Sequence, residues 1–303
     1  MAKDSPTYGG QAVIEGVMMK GRNHIATAVR RSAGDIIVES REITPWSKRF
    51  PILKYPILRG ALALVEAMVV GIKALSFSAS QFAEEEDVEL STKDMVLMIL
   101  FAFSISILFF VVLPAYAIRY VEAHIQYNVF LNLVEGLIKV SIFLGYVAAI
   151  GLMPDIRRVF QYHGAEHKTI HAYEAGEELT VENVQKYSTL HPRCGTNFIF
   201  IVLLVSVFVF SFFGRPPFLE RVLIHIAILP LVAGISYEVL KQAGKKEPLW
   251  IFRVLALPGL WLQKLSTRPP SDDQVEVAIR SLQEVLALEN QEPQEETEVA
   301  ESV

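Results

Sequence analysis

Cysteine is almost absent from this chain of 303 residues. Cys194 stands alone, which excludes an internal disulfide and fits a thiol kept in a reducing compartment. A phosphate-binding loop is missing too, because Gly16 and Gly21 are followed neither by a helix start nor by a Walker lysine. No other nucleotide signature occurs. The formal charge of −5 is too small and too unevenly spread to mark a nucleic-acid binder. The opening MAKDSPTYGGQ lacks the apolar core of a secretory signal, so membrane insertion is expected to use internal segments. There is no internal repeat and few charges fall inside the apolar runs, which makes a transporter the weakest functional class.

What the chain has in quantity is apolar sequence. Hydrophobic residues make up 52% of it, many in unbroken runs, and that is a membrane composition. Four runs approach the roughly 20 residues needed to cross a bilayer: Met95 to Ile118, Val129 to Met153, Asn197 to Phe213 and Val222 to Leu240. Lys and Arg gather at both termini and between Asp155 and Thr196, so the positive-inside rule places the termini and this central loop in the cytosol. The expected location is a membrane crossed several times, with both termini on its cytosolic side.

The fold class predicted is therefore an α-helical integral membrane protein with about four transmembrane helices, an interfacial or re-entrant helix and a small N-terminal β-meander. Residues 1–50 hold the meander, with strands over QAVIEGVMM, HIATAVRR and DIIVESREI broken by Lys20-Gly21-Arg22-Asn23 and Ser32-Ala33-Gly34-Asp35. Residues 51–93 hold the interfacial or re-entrant helix, because Arg59, Glu66 and Lys73 make a simple crossing of 57–80 costly. The first transmembrane pair occupies 94–153, the cytosolic His/Cys loop 154–196 and the second pair 197–241. Over 242–288, a segment with Trp250, Trp261 and prolines rests at the headgroup level and leads into a cytosolic helix. That helix starts with a capping box at Ser271 and Gln274, and its stripe Val275, Ile279, Leu282, Leu286 needs a docking surface. Residues 289–303 are glutamate-rich and read as a disordered tail.

The chemistry concentrates in the central loop. In YHGAEHKTIHAYEAGEE, a helix at about 100° per residue puts His163, His167, His171 and Glu174 within roughly 80° of arc, with Glu166 about 60° to one side. Imidazoles at i and i+4 can chelate one ion, and His163-Gly164-Ala165-Glu166-His167 has the H-x-x-E-H order of inverted zinc hydrolases, whose glutamate is the base. Glu238, in GISYEVLK near the end of the fourth run, is a candidate third ligand. The segment His191-Pro192-Arg193-Cys194 closes the same loop and offers two further ligands, His191 and Cys194. Four of the seven histidines and the lone cysteine thus share one loop.

Two metal readings stay open at this point, and the expected ion is a divalent metal, zinc by ligand chemistry. In a catalytic site, two histidines and Glu238 or His191 hold the ion, Glu166 is the base, and His171 or Arg193 steadies negative charge. In a structural site His163, His167, His191 and Cys194 fill all four positions. A solvated polar face for the three helical histidines and a Cys194 nucleophile are weaker alternatives. Glu135 and Lys139, one turn apart, are expected to neutralise each other, His225 to be a packed residue, and Glu15 with Gly9-Gly10-Gln11 to reach toward the loop or mark a turn.

The motifs YGGQAVIEGVMMKG, FQYHGAEHKTIHAYEAGEELT, LHPRCGTNF, PLVAGISYEVLK and PGLWLQKLSTRPPSDDQVEVAI resemble the YqhQ-like family of bacterial membrane proteins, a family of unknown function. The resemblance runs from Tyr8 to about Leu288 and implies a location in the bacterial inner membrane and a metal-dependent enzyme, without naming a reaction. Two functions follow as expectations. One is a membrane hydrolase with a metal centre at the cytosolic boundary, acting on a membrane peptide or a lipid-derived substrate. The other is a scaffold or membrane-protein biogenesis factor whose metal only fixes a docking loop and whose basic face meets a translocon or ribosome.

Overall fold

The computed structural model describes residues 8–44, 46, 51–85, 91–122, 124–125, 128–214, 216–245 and 247–291. At the N-terminus, β1 (Gly9–Val13), β2 (Gly16–Lys20), β3 (His24–Arg30) and β4 (Ile36–Glu42) form one antiparallel meander in the order β1-β2-β3-β4. QAVIEGVMM is two strands rather than the single one predicted, because the chain reverses at Ile14-Glu15 and pairs Val13 with Gly16. Glu15 takes φ 50° there, a left-handed conformation that period-two patterning cannot reveal. The two predicted turns lie where expected, with Gly34 at φ 93°.

Strand alternation sorts the sheet into two buried faces. Val17, Met19, Ala26 and Ala28 point to one side, where they join Val275, Ala278 and Leu282. Val13, Met18, Ile25 and Val29 point to the other and meet Ala74, Val70 and Phe77. The first side is covered by α10 (Asp272–Gln291) and α5 (Pro154–Glu174), the second by α1 (Leu58–Glu85). The docking surface required by the stripe of α10 is thus the sheet, and all four stripe residues enter that core. Ser281 ties the contact by donating its hydroxyl to Ala26 O and accepting from Met19 N. The helix also runs on past 289: Glu289 accepts from Tyr8 Oη and Asn23 N. The predicted tail begins no earlier than 292, and its remainder lies outside the described residues.

The remaining helices are α2 (Thr92–Ile107), α3 (Leu113–Glu122), α4 (Asn128–Ile150), α6 (Val181–Gln185), α7 (Gly195–Phe210), α8 (Phe218–Ala243) and α9 (Trp250–Ser266). Among the described residues, four stretches are long and apolar enough to cross a membrane: Leu58–Phe82, Phe130–Ile150, Gly195–Phe213 and Leu223–Ala243. Three coincide with predicted spans. The predicted span Met95 to Ile118 lies within a continuous helical run in which α2 passes through a π turn at Leu108–Val112 into α3, and its apolar stretch is the shorter Val96–Phe110. Pro114 accounts for the π turn, since it has no N–H to close a regular turn.

The length of α1, 28 residues, exceeds what a helix over 57–80 led us to expect, and its apolarity alone would let it cross. Its contacts are more restrictive. Arg59 and Gly60 lie against Glu238, Gly234 and Tyr237 in the last third of α8, while Gln11 approaches Gly71 and Ser78 donates to Ile14 O at 2.5 Å. One end of α1 thus leans on α8 and the rest on the sheet. Glu135 and Lys139 on α4 form the expected pair, at 3.0 Å, and His225 stacks on Phe210 with ring centroids 3.8 Å apart.

Candidate metal centre

The site forms where α5, the loop after it and the start of α7 meet α9. Pro154 at the first turn starts α5, since its fixed φ suits that position. Gly164 lets the helix approach α9's outgoing chain: a Cβ at this position would lie 2.2 Å from Arg268 O. Arg268 N in turn donates to Phe160 O at 2.9 Å. This close crossing places Ser266 O 2.8 Å from His163 Nδ1, and Thr189 O lies 2.5 Å from His167 Nδ1.

Each of these carbonyls accepts an Nδ1–H, so each imidazole keeps its Nε2 lone pair for the site. His163 Nε2 lies 3.1 Å from Cys194 Sγ. The Nε2 of His167 is buried without a hydrogen-bond partner among the described residues, an orphaned acceptor of the kind that an ion explains. Cys194 caps α7 and is held by Thr196, whose Oγ1 is 2.9 Å from the sulfur. One ligand atom from each of His163, His167 and Cys194 lies within 4.8 Å of the other two. Two nitrogens and a thiol sulfur form a donor set suited to zinc.

Glu166 stands beside this group. Only 4% exposed, it brings Oε2 to 3.4 Å from His167 Nε2. Burial pushes its carboxyl up to about 7, against the pull of His163, the Gly10 backbone and His171. Gly10 of β1 packs directly on it, and a Cβ there would sit 2.8 Å from Glu166 Cγ and 2.6 Å from Met18 O. The glycine-rich start of the sheet therefore does reach the loop. Glu15 joins it from the turn, with both oxygens 2.5 Å from the Arg158 guanidinium.

With this geometry in view, comparison with known proteins is informative. Residues 55–288 match the family described as "Protein of unknown function (DUF1385)". The chain belongs to that family. It is also 40% identical, over 311 aligned positions covering 96% of its own length and 97% of the relative's, to "Uncharacterized protein YqhQ" of Bacillus subtilis (strain 168). No solved structure matches. The family segment contains His163, Glu166, His167 and Cys194, while Gly10, Glu15 and the sheet precede it.

A second group of the DUF1385 segment lies one to two turns further along α5. His171, Glu174 and His191 each bring a ligand atom within 4.8 Å of the others. His191 is the surprise, since the sequence assigned it to the ion held by Cys194. The structure instead turns its ring toward His171, with centroids 4.6 Å apart against 5.6 Å to His167. The cause is α9: Gln263, fully buried, accepts from His191 N at 2.7 Å and donates to His191 O at 2.8 Å and Asn197 Oδ1 at 3.1 Å. Burial pushes His191 down to about 4, only partly offset by Glu174. For Glu174, burial raises the carboxyl, but His191 and Arg193 outweigh it and hold it at about 2.

Three other candidate residues lie outside the His163–His167–Cys194 group. Glu238 belongs to neither group; its carboxylate is gripped by Arg59, with Nε 2.6 Å from Oε1. A carboxylate at that depth found a cation on α1 rather than a metal, consistent with the rule that such groups need a partner. Arg193 pairs with Glu174, and His171 sets Nε2 2.9 Å from Leu190 O while stacking on Tyr187. Both expected charge-steadying groups are thus engaged in the second group. Glu174 was placed on the histidine face but given no role, and the carbonyls of Thr189 and Ser266 carry no side-chain signal at all.

Proposed function

We propose that this membrane protein is a metal-dependent hydrolase whose centre of His163, His167 and Cys194 lies at the cytosolic edge of the bilayer. The observation that carries the reading is the three-ligand set with Glu166 beside it. Three protein ligands and an open position characterise catalytic zinc sites, whereas structural sites fill all four. A divalent ion there supplies Lewis-acid polarisation of water or of a carbonyl or phosphoryl oxygen. The chain's own part is to orient both imidazoles through backbone carbonyls and to take up a proton on Glu166 Oε2. His191, which the four-ligand structural alternative requires, faces the other group, and this favours the catalytic reading over the scaffold one.

The membrane placement rests on the same geometry. The first and last described elements, β1 to β4 and α10, pack on each other and on α5, so they share one side. Cys194 is the cap of α7, a helix long enough to span. The abundance of Lys and Arg on that side supports the cytosol. A site at the end of a span favours substrates that partition into lipid, a membrane peptide or a lipid-derived ester.

The test uses full-length zinc-loaded protein in lipid nanodiscs, incubated with synthetic transmembrane peptides and with phospholipid vesicles, and products read by mass spectrometry. Glu166→Gln should keep its zinc while cleavage falls about 10²–10⁴-fold, the span of general-base contributions. Glu238→Gln should leave zinc content unchanged. Equal cleavage by wild type and Glu166→Gln, or none by wild type on either substrate class, refutes the hydrolase reading.

A further inference from the structure

We infer that the chain holds a second divalent-cation site, formed by His171, Glu174 and His191, one to two helical turns from the His163–His167–Cys194 group. His191 Nε2 is the observation that requires one. The residue is only 4% exposed, and this nitrogen is buried with no hydrogen-bond partner among the described residues. It points at Glu174 Oε2, which remains 3.7 Å away, beyond hydrogen-bonding reach. A buried polar atom left in that state costs free energy, and a cation between the two groups removes the cost.

The neighbours are arranged for such an ion. His171 directs Nε2–H at Leu190 O, which leaves the ring's lone pair on Nδ1. Arg193 holds Glu174 Oε1, which orients the carboxylate and leaves Oε2 facing the imidazoles, the usual work of an outer partner on a metal carboxylate. Gln263 fixes the backbone of His191 on both sides. His191 Nδ1 lies 3.3 Å from Arg193 N. Filling the site transfers the ring proton to Nδ1 and gives up that long contact. Two nitrogens and one oxygen make a harder set than the thiol-containing group, suited to Zn²⁺, Fe²⁺ or Mn²⁺.

This site does not depend on the hydrolase reading. It is tested on full-length protein in detergent, loaded with Zn²⁺ for elemental analysis and with Co²⁺ for absorption spectroscopy. Only the first group contains sulfur, so a thiolate-to-cobalt charge-transfer band reports that group alone. Glu174→Gln and His191→Ala should each lower bound metal from about two ions per chain to about one, with the thiolate band retained; the band also certifies that the variant is folded. Cys194→Ser should remove the band and leave an ion that Glu174→Gln then removes. A wild type without the thiolate band whose ion is lost with Glu174→Gln keeps this site and sinks the first. A single ion unaffected by Glu174→Gln, or one lost together with the band in every variant, overturns the second site.

Discussion

Replacing Gly164 by alanine tests the crossing on which the first metal group depends. The added Cβ would stand 2.2 Å from Arg268 O and 3.3 Å from Thr189 Cγ2. Ordinary C···O contacts lie at about 3.3–3.6 Å, so α5 and the chain leaving α9 must separate by roughly 1 Å. The obstacle is a backbone carbonyl and cannot swing aside as a side chain would. Two effects oppose each other. Alanine gains up to about 1 kcal/mol of helix propensity over glycine, whereas overpacking a well-packed contact costs about 1–3 kcal/mol, so net destabilisation of roughly 1–2 kcal/mol is expected. Metal retention should suffer more, because the displaced end of α9 carries Ser266 O, the acceptor that orients His163; losing such a partner weakens binding about 10–100-fold. Thermal unfolding of the purified protein and zinc retention against a graded chelator measure the two effects. Gly145→Ala on α4 is the control, since its Cβ would meet nothing within 4 Å, and it should be neutral or stabilising. Gly164→Ala melting at or above wild type with undiminished zinc retention would refute the reasoning.

Leu282→Ala empties a fully buried position between α10 and the sheet and should destabilise by about 2–5 kcal/mol; protease release of the N-terminal sheet is the readout, and unchanged resistance would mean that α10 does not hold it. Acid should weaken the metal-free protein through Glu174. Its folded carboxyl is held down at about 2, below the ordinary value, so its contribution is present above the unfolded pKa of about 4.3 and is lost as pH falls from there toward 2. Glu174→Gln should therefore flatten the decline of melting temperature with acid across that window, and an unaltered slope would show that the Arg193 pair contributes nothing.

Periodicity made several parts of this protein legible in advance. The i, i+4 spacing of His163 and His167 needs only a helix to put both rings on one face, and nothing later in the chain competes with that. The α10 stripe likewise announced its buried side, although not the sheet that buries it. Glu15 escaped because one residue with positive φ divides an otherwise regular strand, and Val13 and Val17 look the same on either side of the break. The π turn before Pro114 escaped for a related reason, since hydropathy averages over a defect in the backbone.

The amino-acid sequence by itself determined the apolar helices, the two-faced sheet and the crowding of imidazoles near a lone thiol, because those depend on composition and on spacings of a few residues. Tertiary structure alone decided that Glu238 answers Arg59, that His191 turns to Glu174 instead of Cys194, and which ring nitrogen of each histidine remains open. Those outcomes depend on backbone carbonyls and on a glutamine 72 residues from His191 along the chain, groups whose direction has no expression in local pattern until α5 and α9 are packed together.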